Sequence, residues 1–385
     1  MIDTIVLMLL SPERFAVADH NRFSPSTNGL FQSPYYKLGG RGNFSCYQNP
    51  TAEELRNGNY KPRLTVTKRI SKGGFPISLR VEFSAPKLIF GNNFDEVEDS
   101  HFALVADTLF HKLQGMGIKI TKQALINAPV SSVHYSKNIP LTDYSTPYGI
   151  LNEMRKINLT KSLDLNQTDF RNEGQCLKFH ANGHELAFYD KMKDLQKAKT
   201  SEKRAIERDN AIQLDLFADQ KPRKPFEVLR IEARLNQRKV IRQRFEKAGI
   251  TTELTFAGIF KQNIAQKVLL SYFETVEKGY ALLGYRPKTG KDFFGSFRTI
   301  QPKAKPKKIL QMLGMIMICH ETGIRGFREL LEPYGKHHWP RLFKDWKGCQ
   351  IKAPCPVLKP IQDALRTFAP MRLSNFCDRK DWQGI

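Results

Sequence analysis

Tyr189 and Lys191 stand two residues apart at the end of the segment Glu185-Leu-Ala-Phe-Tyr-Asp-Lys191, in a 385-residue chain of formal net charge +23. The run Cys176–His180, the dipeptide Asn182-Gly183 and the run His184–Tyr189 read as a β-hairpin, because Asn-Gly between alternating strands favours the tight turn with positive φ. A helical run, Asp190–Lys199, follows, with Asp190 as its N-cap. A tyrosine at a strand-to-helix junction can direct its hydroxyl into a cleft. In a chain with 61 Lys+Arg against 38 Asp+Glu, the expected partner is a polyanion and the natural electrophile a phosphodiester. A phenol ionises only near pH 10, so attack needs a nearby positive charge, which a metal ion, Lys191 or Arg234 could supply. Taken alone, such a tyrosine is an ordinary side chain covering apolar surface, and the case depends on what else faces it.

The strands supply that company. Alternation places Leu79, Val81 and Phe83 on one face of Ser78–Phe83, with Arg80 and Glu82 opposite. In Val130–Tyr135 the apolar pair is Val133 and Tyr135, leaving Ser132 and His134 opposite. In Glu227–Leu235, Leu229, Ile231, Ala233 and Leu235 oppose Arg230, Glu232 and Arg234. In the hairpin Leu186 and Phe188 are core, and Tyr189 joins the other side. If these strands share one sheet, Glu82, His134, Glu232 and Tyr189 project from the face that the helices leave open. Two carboxylates and an imidazole suit Mg²⁺ or Mn²⁺, which would act as a Lewis acid on a scissile phosphate. His134 is the firmest ligand by geometry, then Glu232, then Glu82. His180 and His184 flank the turn and read as surface residues. Each residue alone is a solvated side chain of a half-exposed sheet; the four together read as a site.

Strands at Met1–Leu10, Leu64–Thr67 and the segments above alternate with helices at Ser100–Gly115, Tyr148–Ile157 and Arg238–Ala248. This pattern predicts an α+β fold: a largely antiparallel sheet with helices on one face, followed by a smaller, mainly helical C-terminal domain. The expected divisions are 1–275, a basic linker at 276–308, and 309–385. Arg286–Lys308 carries eight basic residues and one acid with three prolines, and reads as extended. Phosphate contacts are expected from Arg230, Arg234, Arg238, Lys239 and Arg242, and from Lys303, Lys305, Lys307 and Lys308. Phe293, Phe294 and Phe297 either stack on unpaired bases or pack against the C-terminal domain.

Other chemistries are excluded or disfavoured. Gly284-Tyr-Arg-Pro-Lys-Thr-Gly290-Lys-Asp lacks the spacing and the hydroxyl of a P-loop. Six scattered cysteines suit a reducing compartment, and His337, His338, Cys349, Cys355 and Cys377 match no zinc spacing. The apolar N-terminus has no basic flank or cleavage site, and no run is long enough to span a bilayer, so no membrane is expected and a cytoplasmic location is.

Met1-Ile-Asp-Thr-Ile-Val-Leu, Val81-Glu-Phe-Ser-Ala-Pro-Lys-Leu-Ile-Phe-Gly91-Asn-Asn-Phe94, Glu185–Lys191 and Leu229-Arg-Ile-Glu-Ala-Arg-Leu235 resemble, in the same order, the gene II replication initiators of filamentous bacteriophages. The resemblance runs in patches over residues 1–275. It implies a rolling-circle initiator of the His-hydrophobic-His (HUH) nickase type in a bacterial host cell. Such a protein nicks one strand at a double-strand origin through Tyr189, keeps the 5′ phosphate as a phosphotyrosyl ester, leaves a 3′-OH primer, and later rejoins the displaced strand. Its partners would be origin DNA, double- and single-stranded, and a host helicase and polymerase. The chain departs from the wider superfamily in one respect: the strand Val133-His-Tyr135 offers a single histidine. A rival class is a non-enzymatic origin-binding protein or repressor, for which Ile309–Leu331 would be a helix-turn-helix. Tyrosine recombinases, mainly helical with an arginine-rich catalytic set, do not match the strand-borne motifs.

Overall fold

The computed structural model describes residues 1–32, 43–51, 53–54, 59–69, 74–141, 145–159, 163, 168–171, 175–200, 220–222, 227–286, 289–348, 356–375 and 377–379. Nine strands form the main sheet: β1 Ile2–Leu10, β2 Asn43–Gln48, β3 Arg63–Arg69, β4 Ile77–Ser84, β5 Val130–Leu141, β6 Thr168–Arg171, β7 Cys176–Ala181, β8 His184–Asp190 and β9 Glu227–Leu235. Their order is β2-β3-β4-β1-β5-β9-β8-β7-β6, and every neighbouring pair is antiparallel. The three central strands come from three distant parts of the chain, so the middle of the sheet exists only through long-range pairing.

Alternation decides which face is apolar. Leu79, Val81, Phe83, Val133, Tyr135, Leu186, Phe188, Leu229, Ile231, Ala233 and Leu235 are all buried in one core. Covering that face are α2 Phe102–Gly115, α3 Pro147–Met154, α5 Arg238–Lys247 and α6 Gln262–Gly284. Phe83 meets Phe256 edge-on at 5.7 Å between ring centroids, and Phe256 meets Phe102 at 5.1 Å. Local signals set the ends of elements. Thr146 caps α3 by accepting from Gly149 N, with Pro147 in the first turn. In the hairpin turn Gly183 has φ +80°, and a Cβ there would lie 2.8 Å from Gln237 and 2.9 Å from Val240. That turn therefore requires glycine both for its backbone and for its space.

The site-bearing face is not wholly open. α1 Ala85–Phe90 is followed by a crossing segment, and α4 Lys191–Thr200 folds back over the sheet. Phe94, Leu195 of α4, Val228, Met371 and Leu373 form a second, smaller apolar cluster there. The expectation of helices on one face thus holds for most of the sheet and fails at the Val228 end, where α4 covers the other side. Asp190 does cap α4, accepting from Lys193 N at 3.0 Å.

The stretch expected to be an extended linker is mostly helical. α6 runs unbroken to Gly284, and α7 Gly290–Ile300 begins at Thr289, whose hydroxyl accepts from Asp292 N at 3.1 Å. Phe293 and Phe297, one helical turn apart, are buried, so they pack rather than stack on bases. The charge run hid this i, i+4 pair. α8 Pro306–Leu331 breaks at Gly323 (φ 80°, ψ 164°), where a Cβ would lie 3.1 Å from Lys156 Cα. One residue makes the break, whereas a helix-turn-helix needs a turn of about three to four. α9 His338–Gly348 and α10 Lys359–Thr367 follow. Ile309, Met312, Ile361 and Leu365 join the same core as the sheet. No helix among the described residues is long and apolar enough to cross a membrane.

Candidate functional site

The register of β7, β8, β9 and β5 places functional groups in rows across one face. His180, Glu185, Arg234 and His134 form one row, being paired successively across the four strands. The next row on that face is Lys178, Ala187, Glu232 and Ser136, and the next Cys176, Tyr189, Arg230 and Asn138. Tyr189 and Glu232 are therefore diagonal neighbours, within reach for long side chains. The rows pass over the small side chain of Ala187, so larger groups converge above it.

Four side chains meet there. Tyr189 donates its phenolic hydrogen to Glu232 Oε2 at 3.1 Å. Arg234 grips both carboxylate oxygens, with Nε 3.0 Å from Oε1 and Nη2 3.1 Å from Oε2. His134 Nδ1 lies 3.5 Å from Glu232 Oε1, and its Nε2 is 3.1 Å from Asn236 Oδ1. Glu232 is 2% exposed and His134 21% at the side chain, so the carboxylate lies at the floor and the imidazole at the rim.

Electrostatics give these groups different states. Burial would push the Glu232 carboxyl up, but the Arg234 guanidinium, then Arg230 and His134, hold it well below the usual carboxylate range. It is an ionised, weakly basic acceptor. Burial holds the Tyr189 phenol well above 10; Arg230 opposes this and Glu232 adds to it. In the resting protein Tyr189 is thus a neutral phenol oriented by an anion, and its ionisation needs added positive charge.

Lys191 and Arg230 lie under the site rather than in it. Lys191 is fully buried at the start of α4, with Nζ 3.0 Å from Asn93 Oδ1 and 3.4 Å from Asp194 Oδ2. Burial, partly countered by Asp194, lowers its ammonium to about 8. Arg230, expected as a phosphate contact, is 2% exposed. It binds Asp3 Oδ2 at 3.0 Å, Ser136 Oγ at 2.8 Å and the Asn93 carbonyl at 2.8 Å. It is an internal strut, and that expectation is corrected.

Glu82 is the other expected residue that the fold keeps apart. It sits on β4, separated from β9 by β1 and β5, about 14 Å away at ordinary strand spacing. Its carboxylate pairs with Arg80 at 2.6 Å. Among the described residues no three His, Cys, Asp or Glu side chains converge as a metal centre would require. His134 and Glu232 remain as a pair of donors, which suits a cation that keeps several waters and completes its shell on phosphate. The three-ligand set does not assemble.

Arg238, Lys239 and Arg242 are exposed, but α5 packs on the apolar face through Val240, Ile241 and Phe245, with Phe245 against Tyr135. They look away from Tyr189. Lys303, Lys305 and Lys307 are exposed in the α7–α8 region, and Lys308 pairs with Asp345 at 3.3 Å. Cys349 and Cys355 lie outside the described residues. His184, read as a surface residue, is buried between Tyr272 (3.0 Å) and Arg244 (2.7 Å).

One site residue was missed. Glu185 lies on the Tyr189 face, 3.5 Å from Arg234 Nη1, 3.8 Å from Lys178 and 3.8 Å from His180. Its i, i+4 relation to Tyr189 on an alternating strand was the available signal. Comparison with protein-family models, with curated proteins and with solved structures found no match.

Proposed function

We propose that this chain is a DNA nicking-closing enzyme, a rolling-circle replication initiator that works through Tyr189. The observation that carries the reading is the Tyr189–Glu232 hydrogen bond at the floor of a polar patch, with Arg234 and His134 beside it. In the first step the Tyr189 oxygen attacks a phosphodiester phosphorus. Its proton passes to solvent water, the P–O3′ bond breaks, and the departing 3′ oxygen takes up a proton from water to become the primer hydroxyl. The 5′ phosphate stays on the tyrosine as an ester, so the bond energy is kept. In the second step a 3′-OH attacks that ester and the phenol is released, resealing a strand without a nucleotide cofactor.

Glu232 orients the hydroxyl and Arg234 fixes Glu232, while Glu185 holds the other side of the guanidinium. Mg²⁺ or Mn²⁺ on His134 and Glu232, together with a substrate phosphate, would supply the Lewis acid and the positive charge that ionisation of the phenol needs. Lys191 and Arg230 keep the strand end and α4 in place beneath the phenol. The partners of this reading are origin DNA, double- and single-stranded, and a host helicase and polymerase, in the cytoplasm of a bacterial host.

The test uses supercoiled plasmids carrying candidate origins, with Mg²⁺. The wild-type chain should relax its origin plasmid and leave a DNA adduct on Tyr189, and Tyr189→Phe should bind the same DNA without an adduct. Nicking by Tyr189→Phe at the wild-type rate would remove the assignment. Binding without relaxation by the wild type would favour the repressor class.

A further inference from the structure

Of the three aromatics that could either stack or pack, Phe293 and Phe297 are buried and Phe294 packs against the same core. The structure leaves another aromatic in water. Tyr334 is 74% exposed, the most exposed large hydrophobic side chain among the described residues. It ends the short 3₁₀ turn Glu332–Tyr334 that closes α8, just before Gly335 (φ 113°) reverses the chain into α9. The turn is firmly mounted. Phe327 of α8 meets Trp339 edge-on at 6.1 Å, and Trp339 stacks on Phe343 at 5.2 Å, which locks the start of α9 to the end of α8.

Basic groups lead away from this ring. Lys336 and His337 are exposed immediately after it, and Arg341 and Lys344 are exposed on α9. Arg341, Lys344 and Asp345 share one side of that helix by their i, i+3 and i, i+4 spacing. Asp345 reaches Lys308 at 3.3 Å, which joins α9 to the groove lined by Gln301, Pro302, Lys303, Ala304, Lys305 and Lys308. Glu329 is paired with Arg325 at 3.6 Å and Asp345 with Lys308 at 3.3 Å, and Lys303, Lys305, Lys336, Arg341 and Lys344 outnumber the exposed Glu332 of the turn itself, so the track keeps a positive excess. α9 has 11 residues, and so runs about 16 Å along its axis.

We infer that Tyr334, with Lys336, Arg341 and Lys344 and the Lys303–Lys308 groove beyond them, forms a binding track for single-stranded nucleic acid, with Tyr334 as its stacking platform. An exposed ring at the end of a basic track meets both requirements of sequence-tolerant single-strand binding, a π-face for a base and charges for the backbone. Duplex DNA could use the charges but offers no free base face to Tyr334. The choice of nucleic acid as the polyanion rests on the proposed function, but the track lies outside the Tyr189 site and needs none of its chemistry.

The test is fluorescence anisotropy of the full chain with a labelled oligothymidylate of about 30 nucleotides, long enough for one site, and with a duplex of the same length. Tyr334→Ala should weaken oligothymidylate binding about ten-fold and leave duplex binding within about two-fold. Tyr334→Trp should keep the affinity, and its added indole fluorescence should be quenched on binding. Changing Lys336, Arg341 and Lys344 to Gln should lower the single-strand salt slope by about 2. The inference is overturned if the wild type does not bind oligothymidylate, if Tyr334→Ala binds as the wild type does, if it loses duplex binding equally, or if the indole introduced by Tyr334→Trp is not quenched. Circular dichroism melting identifies a fold defect in the Ala variant, and the Trp variant then decides. Adduct formation at Tyr189 is scored separately, so failure of that reaction leaves the outcome here unaffected.

Discussion

Tyr189 and Glu232 sit diagonally across β8 and β9, and the phenol donates to Glu232 Oε2 at 3.1 Å while Arg234 holds both oxygens of the same carboxylate. The phenol's orientation is thereby tied to one buried anion. Glu232 links the aromatic side of the patch to the imidazole side, so it is the residue whose charge the proposed chemistry uses most directly.

Glu232→Gln should cut the rate of covalent adduct formation by about a hundred-fold or more, because the amide keeps an acceptor but loses the charge. Glu82→Gln should change it by less than about two-fold, since Glu82 lies outside the converging group. Quench-flow or gel assays with radiolabelled origin DNA across a Mg²⁺ titration compare the two. Equal losses would mean that both carboxylates serve one metal ion, and that the sheet rearranges on binding.

Arg230 is a stability residue. Arg230→Met leaves Asp3 without its partner at 3.0 Å and should cost about 3–5 kcal/mol. The double variant with Asp3→Leu should recover part of that, because an apolar pair needs no desolvated charge. Urea denaturation measures both. A normal midpoint for Arg230→Met with weakened DNA binding would restore the phosphate-contact role.

His184 makes folding sensitive to acid. Burial first, then the Arg244 and Lys247 charges, lowers its pKa from 6.5 to about 4. Between those values the unfolded chain binds a proton that the folded chain refuses, so stability falls as pH drops from 6.5 toward 4. The loss should approach 2–3 kcal/mol, about 1.4 kcal/mol per pKa unit. His184→Gln should flatten that part of the profile in melting curves recorded between the two pH values; an unchanged slope would show that other groups carry the acid sensitivity.

Neutralising Lys303, Lys305, Lys307 and Lys308 together should reduce the salt slope of duplex binding by about 3 and leave the nick position unchanged. Anisotropy over a salt series, with primer extension to map the nick, checks both parts. These lysines stand on the helical side of the molecule, so a shifted nick would mean that they read sequence.

Much of the architecture was legible in the chain itself because it depends on local rules. Period-two alternation named Leu79, Val81, Phe83, Leu229, Ile231, Ala233 and Leu235 as one buried face, and all are buried. Asn182-Gly183 marked the hairpin turn, and Asp190 marked the cap of α4. The same alternation put Tyr189, His134 and Glu232 on the other face.

What alternation cannot give is strand order. Glu82 and Glu232 share a face in any single sheet, yet β1 and β5 lie between their strands, and only the pairing of segments far apart in the chain decides that. Charge is equally silent about depth. Arg230 and Arg234 read alike in sequence, but Asp3, Ser136 and the Asn93 carbonyl bury the first, while the second half-faces solvent on two carboxylates. The chain determined which residues could face one another; tertiary pairing decided which of them touch, because contact across a sheet depends on strand spacing and on the groups that each charge finds once water is excluded.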